Sequence, residues 1–323
     1  MRWKRVVPIL VVTLIAVVTT AAWSVGPASA APGRIVSSEA IGSHQLLLSV
    51  FSPSMGRSIP VRVLRAADRR PVPRLYLLNG AGGGEDSANW VEQGNAPAFF
   101  ADKPVDVIIP MAGAFSYYTD WQRDDPTLGR NRWETFLTRE LPAALDGILS
   151  STGRNGIAGL SMSGSAALSL AERAGDLYSA VASMSGCPNT SGLLGSAYVR
   201  ATVEGRGAAD TTNMWGPPGS PDWVAHDAQI NAERLRGKAV FVSSGPGVPG
   251  QHDNVSDAQH IQMILVGGPI EAAVDECSHR FVARLAALGI GVTTYFPPTG
   301  THSFAYWNDA LARAWPVLAS GLR

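Results

Sequence analysis

Three serines alternate with single residues in Gly159-Leu160-Ser161-Met162-Ser163-Gly164-Ser165, directly after an apolar run and directly before an alanine-rich stretch. A serine hydroxyl attacks an acyl carbon only when a base removes its proton and the chain lifts it clear of its surroundings. The sharp strand-to-helix turn written G-x-S-x-G meets the second need, because small flanking residues let the chain turn without a clash. Here the frame reads Gly159, Ser161, Ser163, with serine at the last small position. Sliding the frame to Ser163 would move the nucleophile into the helix, so Ser161 is the candidate. The alternative is a close-packed helix start with Ser161 as N-cap. The apolar run before it, the helical pattern after it and the absence of proline in the turn favour the elbow.

A base comes next, and the six histidines are His44, His226, His252, His260, His279 and His302. In a fold with such an elbow the chain order is serine, acid, histidine, with the histidine on a loop after the last strand. His302, in "YFPPTGTHSF", alone fits; His44 precedes the serine, and the other four read as surface or loop residues. The stretch "HDNVSDAQH" has no recognisable ligand spacing, so neither a metal nor another cofactor is expected. Glu271, Asp275 and Glu276 all lie in "GGPIEAAVDECSHRF". Gly268-Pro269 reads as a helix start that holds Glu271 near the loop end, with Asp275 one turn later as its competitor. The oxyanion needs two backbone N–H donors, expected at Met162 and at Ala81 in "LLNGAGGG". That loop lacks the Lys-Ser/Thr of a phosphate-binding P-loop.

These groups need a scaffold, and the pattern supplies one. Alternation on both sides of "SPSMGR" predicts two early antiparallel strands. Buried strands are expected at Leu75–Leu78, Val105–Ile109 and "NGIAGL", then in "YSAVASMSGC", "KAVFVSSGPG" and "GVTTYFPPTGTH". Helical spacing marks "RWETFLTRELPAALDGIL" and "SMSGSAALSLAERAG", the latter ending at Gly175. Strands alternating with helices predict an α/β class, with a mostly parallel central sheet flanked by helices and function at the strands' carboxyl ends. The span from Asn189 to Asp227 shows no such alternation and reads as a long irregular insertion.

The first 30 residues open on Arg2, Lys4 and Arg5, continue apolar and end at Ala28-Ser29-Ala30, the pattern of a secretory signal cut after Ala30. An uncleaved anchor over Val6–Trp23 is the competing reading, at a length barely sufficient to span a bilayer. Loss of Arg2, Lys4 and Arg5 leaves 23 basic side chains against 26 acidic ones, so nucleic acid is not an expected partner. Cys187 and Cys277 are the only cysteines, and export makes one disulfide between them the expectation.

The stretches "SPSMGR", "YLLNG", "DWQ", "RWETFLTRELP", "GLSMSGSAAL", "MWGPPGSPDW" and "FPPTGTHSFAYW" resemble, in order and spacing, the secreted mycolyltransferases of the antigen 85 family. The resemblance implies a single α/β-hydrolase domain over residues 31–323, acting as a monomer outside the cell or on its envelope. It implies transfer of a mycolyl group from trehalose monomycolate to trehalose or another cell-envelope acceptor through an acyl-serine. Ser161, Glu271 and His302 would be nucleophile, acid and base, with Ala81 and Met162 at the oxyanion. Trp307 falls near the family's sugar-binding pocket. Asn79 and Gly82 stand where the family has a trehalose-contacting aspartate and an arginine. Loss of one such charge-assisted contact is worth about 1.5–3 kcal/mol. Two other readings share the sequence: a secreted carboxylesterase, and a noncatalytic envelope-binding protein, the latter at odds with a complete serine, carboxylate and histidine set.

Overall fold

A computed structural model describes residue 3, residues 31–67 and residues 70–323. The stretch read as a secretory signal therefore lies outside the described residues, apart from Trp3. Among the described residues nine strands, β1 (Arg34–Gly42), β2 (Gln45–Ser52), β3 (Arg57–Leu64), β4 (Val72–Leu78), β5 (Asp106–Pro110), β6 (Ser151–Leu160), β7 (Ala180–Met184), β8 (Ala239–Ser243) and β9 (Thr293–Tyr295), form one sheet. Their order is β1-β2-β3-β5-β4-β6-β7-β8-β9. The first four in that order pair antiparallel, and all pairs from β5 to β9 are parallel. Because β4 lies between β5 and β6, the strand order reverses there, and ligands of open α/β sheets bind outside the carboxyl ends at such a reversal. Leu78 pairs with Gly159, which sets the loop after β4 beside the turn after β6.

The expected strands are present with shifted ends. β6 runs buried from Asn155 to Leu160, as a strand covered on both faces should. β1 had no foreseen counterpart, because an edge strand whose side chains are nearly all exposed carries no apolar alternation. On one face the core gathers Trp121, Trp133, Trp215 and Trp223 with the helix Met162–Arg173; on the other, Trp90 and Phe100 meet the C-terminal helix Phe304–Gly321.

Three expectations need correction. The span after Asn189 is helical, not irregular: Leu193–Arg200, a π-turn at Ala201–Arg206, Thr211–Trp215 and Pro221–Ala225 follow one another. Glycine and proline there punctuate short helices. Gly268-Pro269 does not start a helix either, since one helix runs Ala258–Ala287 with Pro269 inside it. Proline costs that helix one N–H donor without ending it. His226 is buried rather than superficial. Its ring stacks on Trp215 with centroids 4.9 Å apart and meets Thr119 Oγ1 at 2.9 Å. The foreseen helix over "RWETFLTRELP" forms with a π-turn at Phe136–Glu140, just ahead of Pro142, which has no N–H to donate back.

Several sequence signatures prove to be packing devices. Glu140 is fully buried and accepts from the Ser52 hydroxyl at 2.5 Å and from Ser54 N at 2.8 Å, so "SPSMGR" and "RELP" are two halves of one clamp. Glu172, on the elbow helix, is buried with no hydrogen-bond partner for either carboxylate oxygen among the described residues. Burial, reinforced by Asp227 and opposed by Arg234 and Arg173, holds its pKa well above the ordinary value. A carboxyl raised in the folded state contributes its full stability below its unfolded pKa and loses it as pH rises through the folded one. Glu172→Met is therefore expected to gain about 1–3 kcal/mol at pH 8, with the gain shrinking toward pH 4. Tm measured across that range checks the sign.

Candidate active site

Ser161 sits at φ 56° and ψ −125°, a left-handed φ that a residue with a side chain holds only when its surroundings enforce it. The enforcement is visible. Ser161 N donates to Met184 O at 2.8 Å, and Gly164 N donates to Ser161 O at 2.9 Å. A Cβ on Gly159 would lie 2.2 Å from Ser163 O, so only glycine fits there. Ser163, where the elbow pattern has its second glycine, is used differently: its hydroxyl accepts from Leu160 N at 2.9 Å and lies 3.0 Å from Leu78 O, an acceptor for its proton. The elbow is thereby tied to the end of β4.

The Ser161 side chain does not cap the helix that follows it. Its Oγ instead lies 2.8 Å from His302 Nε2, and His302 Nδ1 lies 2.6 Å from Glu271 Oε2. A carboxylate at Nδ1 makes that nitrogen the protonated one and leaves Nε2 to accept the serine proton. Glu271 Oε1 accepts from Ser185 Oγ and from Gly245 N, both at 2.7 Å. Asp275, the competing acid, accepts from Ser244 Oγ at 2.7 Å and faces His279 at 3.6 Å. Of the two carboxylates, Glu271 is the one in contact with His302.

Ser185 is a site residue that the sequence did not single out. Held at φ 51° in the turn after β7, it takes a hydrogen bond from Trp307 Nε1 at 2.9 Å and passes its own proton toward Glu271. Trp307 also meets the His302 ring edge-on, with centroids 4.9 Å apart. The His302 loop is anchored by Asp253, which accepts from Thr301 Oγ1 at 2.8 Å and from the Tyr306 hydroxyl at 2.6 Å. Burial and that contact with Asp253 push the Tyr306 hydroxyl up to about 12, so it stays a donor. Part of "HDNVSDAQH" is thus a brace for the loop that carries His302. Among the described residues no group of three histidine, cysteine or acidic side chains could hold a metal ion.

A cleft of about 220 Å³ opens at the serine, with Ala81, Gly82, Asp86, Arg206, Phe304 and Trp307 in its wall. Ala81 is in the wall and Met162 directly follows Ser161, the positions from which backbone donors would address an oxyanion. Gly82 faces the Asp86 carboxylate. Asn79 is not in the cleft. Its amide is fully buried, donating to Pro110 O at 2.9 Å and accepting from Trp90 N at 3.0 Å, so its polar atoms shape the loop from inside and are not free to touch a sugar. Trp90, Trp121, Trp215 and Trp223 are core side chains, whereas Trp307 reaches the cleft. Cys187 and Cys277 are bonded, with Cα atoms 5.0 Å apart across 90 residues of sequence. The bridge fastens the Glu271 helix to the loop that carries Ser185.

A serine on a strand-to-helix elbow, in line with an imidazole and a buried carboxylate at the reversal point of this sheet, defines an esterase-type α/β hydrolase. Residues 52–318 match the family model described as "Putative esterase". Within that class the chain belongs to the family of the Ag85 mycolyltransferases and the MPT51/MPB51 antigens. It is 34% identical over 271 residues to the MPT51/MPB51 antigen of Mycobacterium tuberculosis, covering 82% of this chain and 83% of that one. It is 30% identical over 280 residues to the diacylglycerol acyltransferase/mycolyltransferase Ag85A of Mycobacterium leprae, covering 84% and 81%. The crystal structure of M. tuberculosis MPT51 superposes with a TM-score of 0.71 at 32% identity, over 85% of this chain and 98% of that one. An S-formylglutathione hydrolase from Agrobacterium tumefaciens, at 16% identity and a TM-score of 0.63, shares the fold.

Proposed function

We propose that the protein is a serine acyltransferase that moves a long-chain acyl group of the mycolyl type from an acylated trehalose to a sugar hydroxyl, on trehalose or another envelope acceptor. The observation that carries this reading is the unbroken line from Ser161 Oγ through His302 to Glu271, in a chain whose relatives at 30–34% identity include named mycolyltransferases. His302 Nε2 takes the serine proton as Oγ attacks the ester carbon. The oxyanion that forms is met by the N–H groups of Ala81 and Met162. Collapse expels the sugar with the proton held on His302, and an acceptor hydroxyl then attacks the acyl-serine by the reverse sequence. Glu271 holds the imidazole in its tautomer throughout. At the sugar end, Trp307 would offer its face, Gly82 its backbone, and Asn79 the shape of the loop. Work of this kind belongs outside the cell or at its envelope, which suits the apolar N-terminus. Among the described residues no helix is long and apolar enough to cross a membrane.

Plain hydrolysis is the second reading, and the inward-turned Asn79 amide favours it, because it removes one polar group from acceptor binding. An acyl-enzyme reacts with whichever hydroxyl is best positioned. With a short-chain trehalose monoester, diacylated trehalose is expected to rise with added trehalose and to vanish in Ser161→Ala. Free acid alone, unaffected by trehalose, would assign an esterase. Wild-type turnover in Ser161→Ala would remove Ser161 from the chemistry.

A further inference from the structure

The hydroxyl of Tyr198 lies 3.1 Å from Ser161 Oγ. A serine poised for attack needs a base to accept its proton and backbone donors for the substrate's carbonyl oxygen; a phenol on the nucleophile itself is an addition to that set. Tyr198 comes from the helix Leu193–Arg200, and its ring packs against the Cys187–Cys277 bridge and Val274. Its backbone carbonyl is taken by Thr202 Oγ1 at 3.0 Å. The disulfide thus braces the side chain, and Thr202 holds the backbone that carries it.

Hydrogen-bond bookkeeping fixes the direction of the contact. Ser161 has one proton, and His302 Nε2, with Nδ1 turned to Glu271, is the acceptor for it. The remaining contact must then run from the phenol O–H to a lone pair of Oγ. Burial comes first among the causes that push this phenol up to about 12, with the Glu271 charge adding to it and the Ser161 contact and Arg206 opposing it. It is therefore a neutral donor at neutral pH.

We infer that Tyr198 is a catalytic residue of the second half-reaction, donating a hydrogen bond to Ser161 Oγ as the acyl group leaves it. The inference rests on the proposed acyl-serine chemistry. A hydroxyl or alkoxide oxygen accepts a hydrogen bond well, and an ester oxygen accepts it poorly. The phenol accordingly stabilises free Ser161 relative to acylated Ser161. During transfer the acceptor oxygen bonds to the acyl carbon and its proton passes to His302 Nε2. As the C–Oγ bond breaks, its electron pair goes to Oγ, and the same proton returns from His302 to Oγ. Charge grows on Oγ during that cleavage, and Tyr198 meets it while keeping its own proton. Acylation runs the other way along the same bond, from a strong acceptor to a weak one, and gains nothing from the contact.

Stopped-flow kinetics of wild type, Tyr198→Phe and Ser161→Ala with p-nitrophenyl butyrate separate the steps. For Tyr198→Phe the burst of p-nitrophenol should keep its rate constant or quicken, while the steady-state rate and KM fall together by about fivefold, the worth of one neutral hydrogen bond. Intact mass should show more butyryl-enzyme at steady state than in wild type. Unchanged kinetics, or a burst rate constant that falls along with the steady state, would overturn the role. A smaller burst with both rate constants unchanged would overturn it too, since it reports only lost folded sites. Turnover surviving in Ser161→Ala would instead bring down the acyl-serine reading itself.

Discussion

Replacing Glu271 by glutamine is expected to lower kcat by roughly 10⁴, with little change in KM, while Asp275→Asn stays within about threefold of wild type. The amide keeps the shape of the side chain and loses the charge that makes His302 Nδ1 the protonated nitrogen. An imidazole locked in the other tautomer cannot take the serine proton at Nε2. Both glutamate oxygens are engaged, one by His302 and the other by Ser185 and Gly245, so the carboxylate has no room to turn and compensate. Asp275 faces Ser244 and His279, and its neutralisation leaves that line of contacts intact. Steady-state assays of the two variants on one short-chain ester decide between the acids. A collapse in Asp275→Asn with activity retained in Glu271→Gln would reverse the assignment.

The second large effect is on the turn itself. Gly159→Ala is expected to cost about 3 kcal/mol and to remove at least about 10²-fold of the activity, because the added methyl meets the backbone of Ser163 and not a yielding side chain. Gly156→Ala, three residues earlier in β6, provides the control. Its methyl would find its nearest neighbours at 3.4 Å, the ends of Leu322 and Leu75, so stability should change by less than about 1 kcal/mol. Denaturant midpoints and esterase rates on the pair test both statements. A Gly159→Ala protein as stable and active as wild type would mean that the elbow relaxes without its glycine.

Much of the site was legible because its chemistry forces residue order. A nucleophile on a strand-to-helix turn and a histidine after the last strand leave few choices among three serines and six histidines, and Ser161 and His302 follow. The acid was less determined. Glu271 and Asp275 lie about one turn apart on one helix, and only the direction of each carboxylate separates them. Ser185 and Tyr198 were illegible for a further reason: a serine in a turn and a tyrosine in a helix have no spacing that announces them, and both reach the site through tertiary contacts. Among the elements, buried parallel strands announce themselves by unbroken apolar runs. The exposed edge strand β1 does not. The short helices after Asn189 were masked by the glycines and prolines that divide them, and Pro269 suggested a helix boundary where the chain continues.

The disulfide gives these observations a different weight. It closes a ring of chain from Cys187 to Cys277 that contains the whole helical insertion, with Tyr198 and Arg206, together with β8 and Glu271. Loop-closure entropy grows only with the logarithm of length, so residues can be added or removed inside such a ring at small thermodynamic cost. Both ends stay pinned beside the acid while they are. The bridge thus lets the segment bordering the cleft change length while Glu271 keeps its place at one end of the ring.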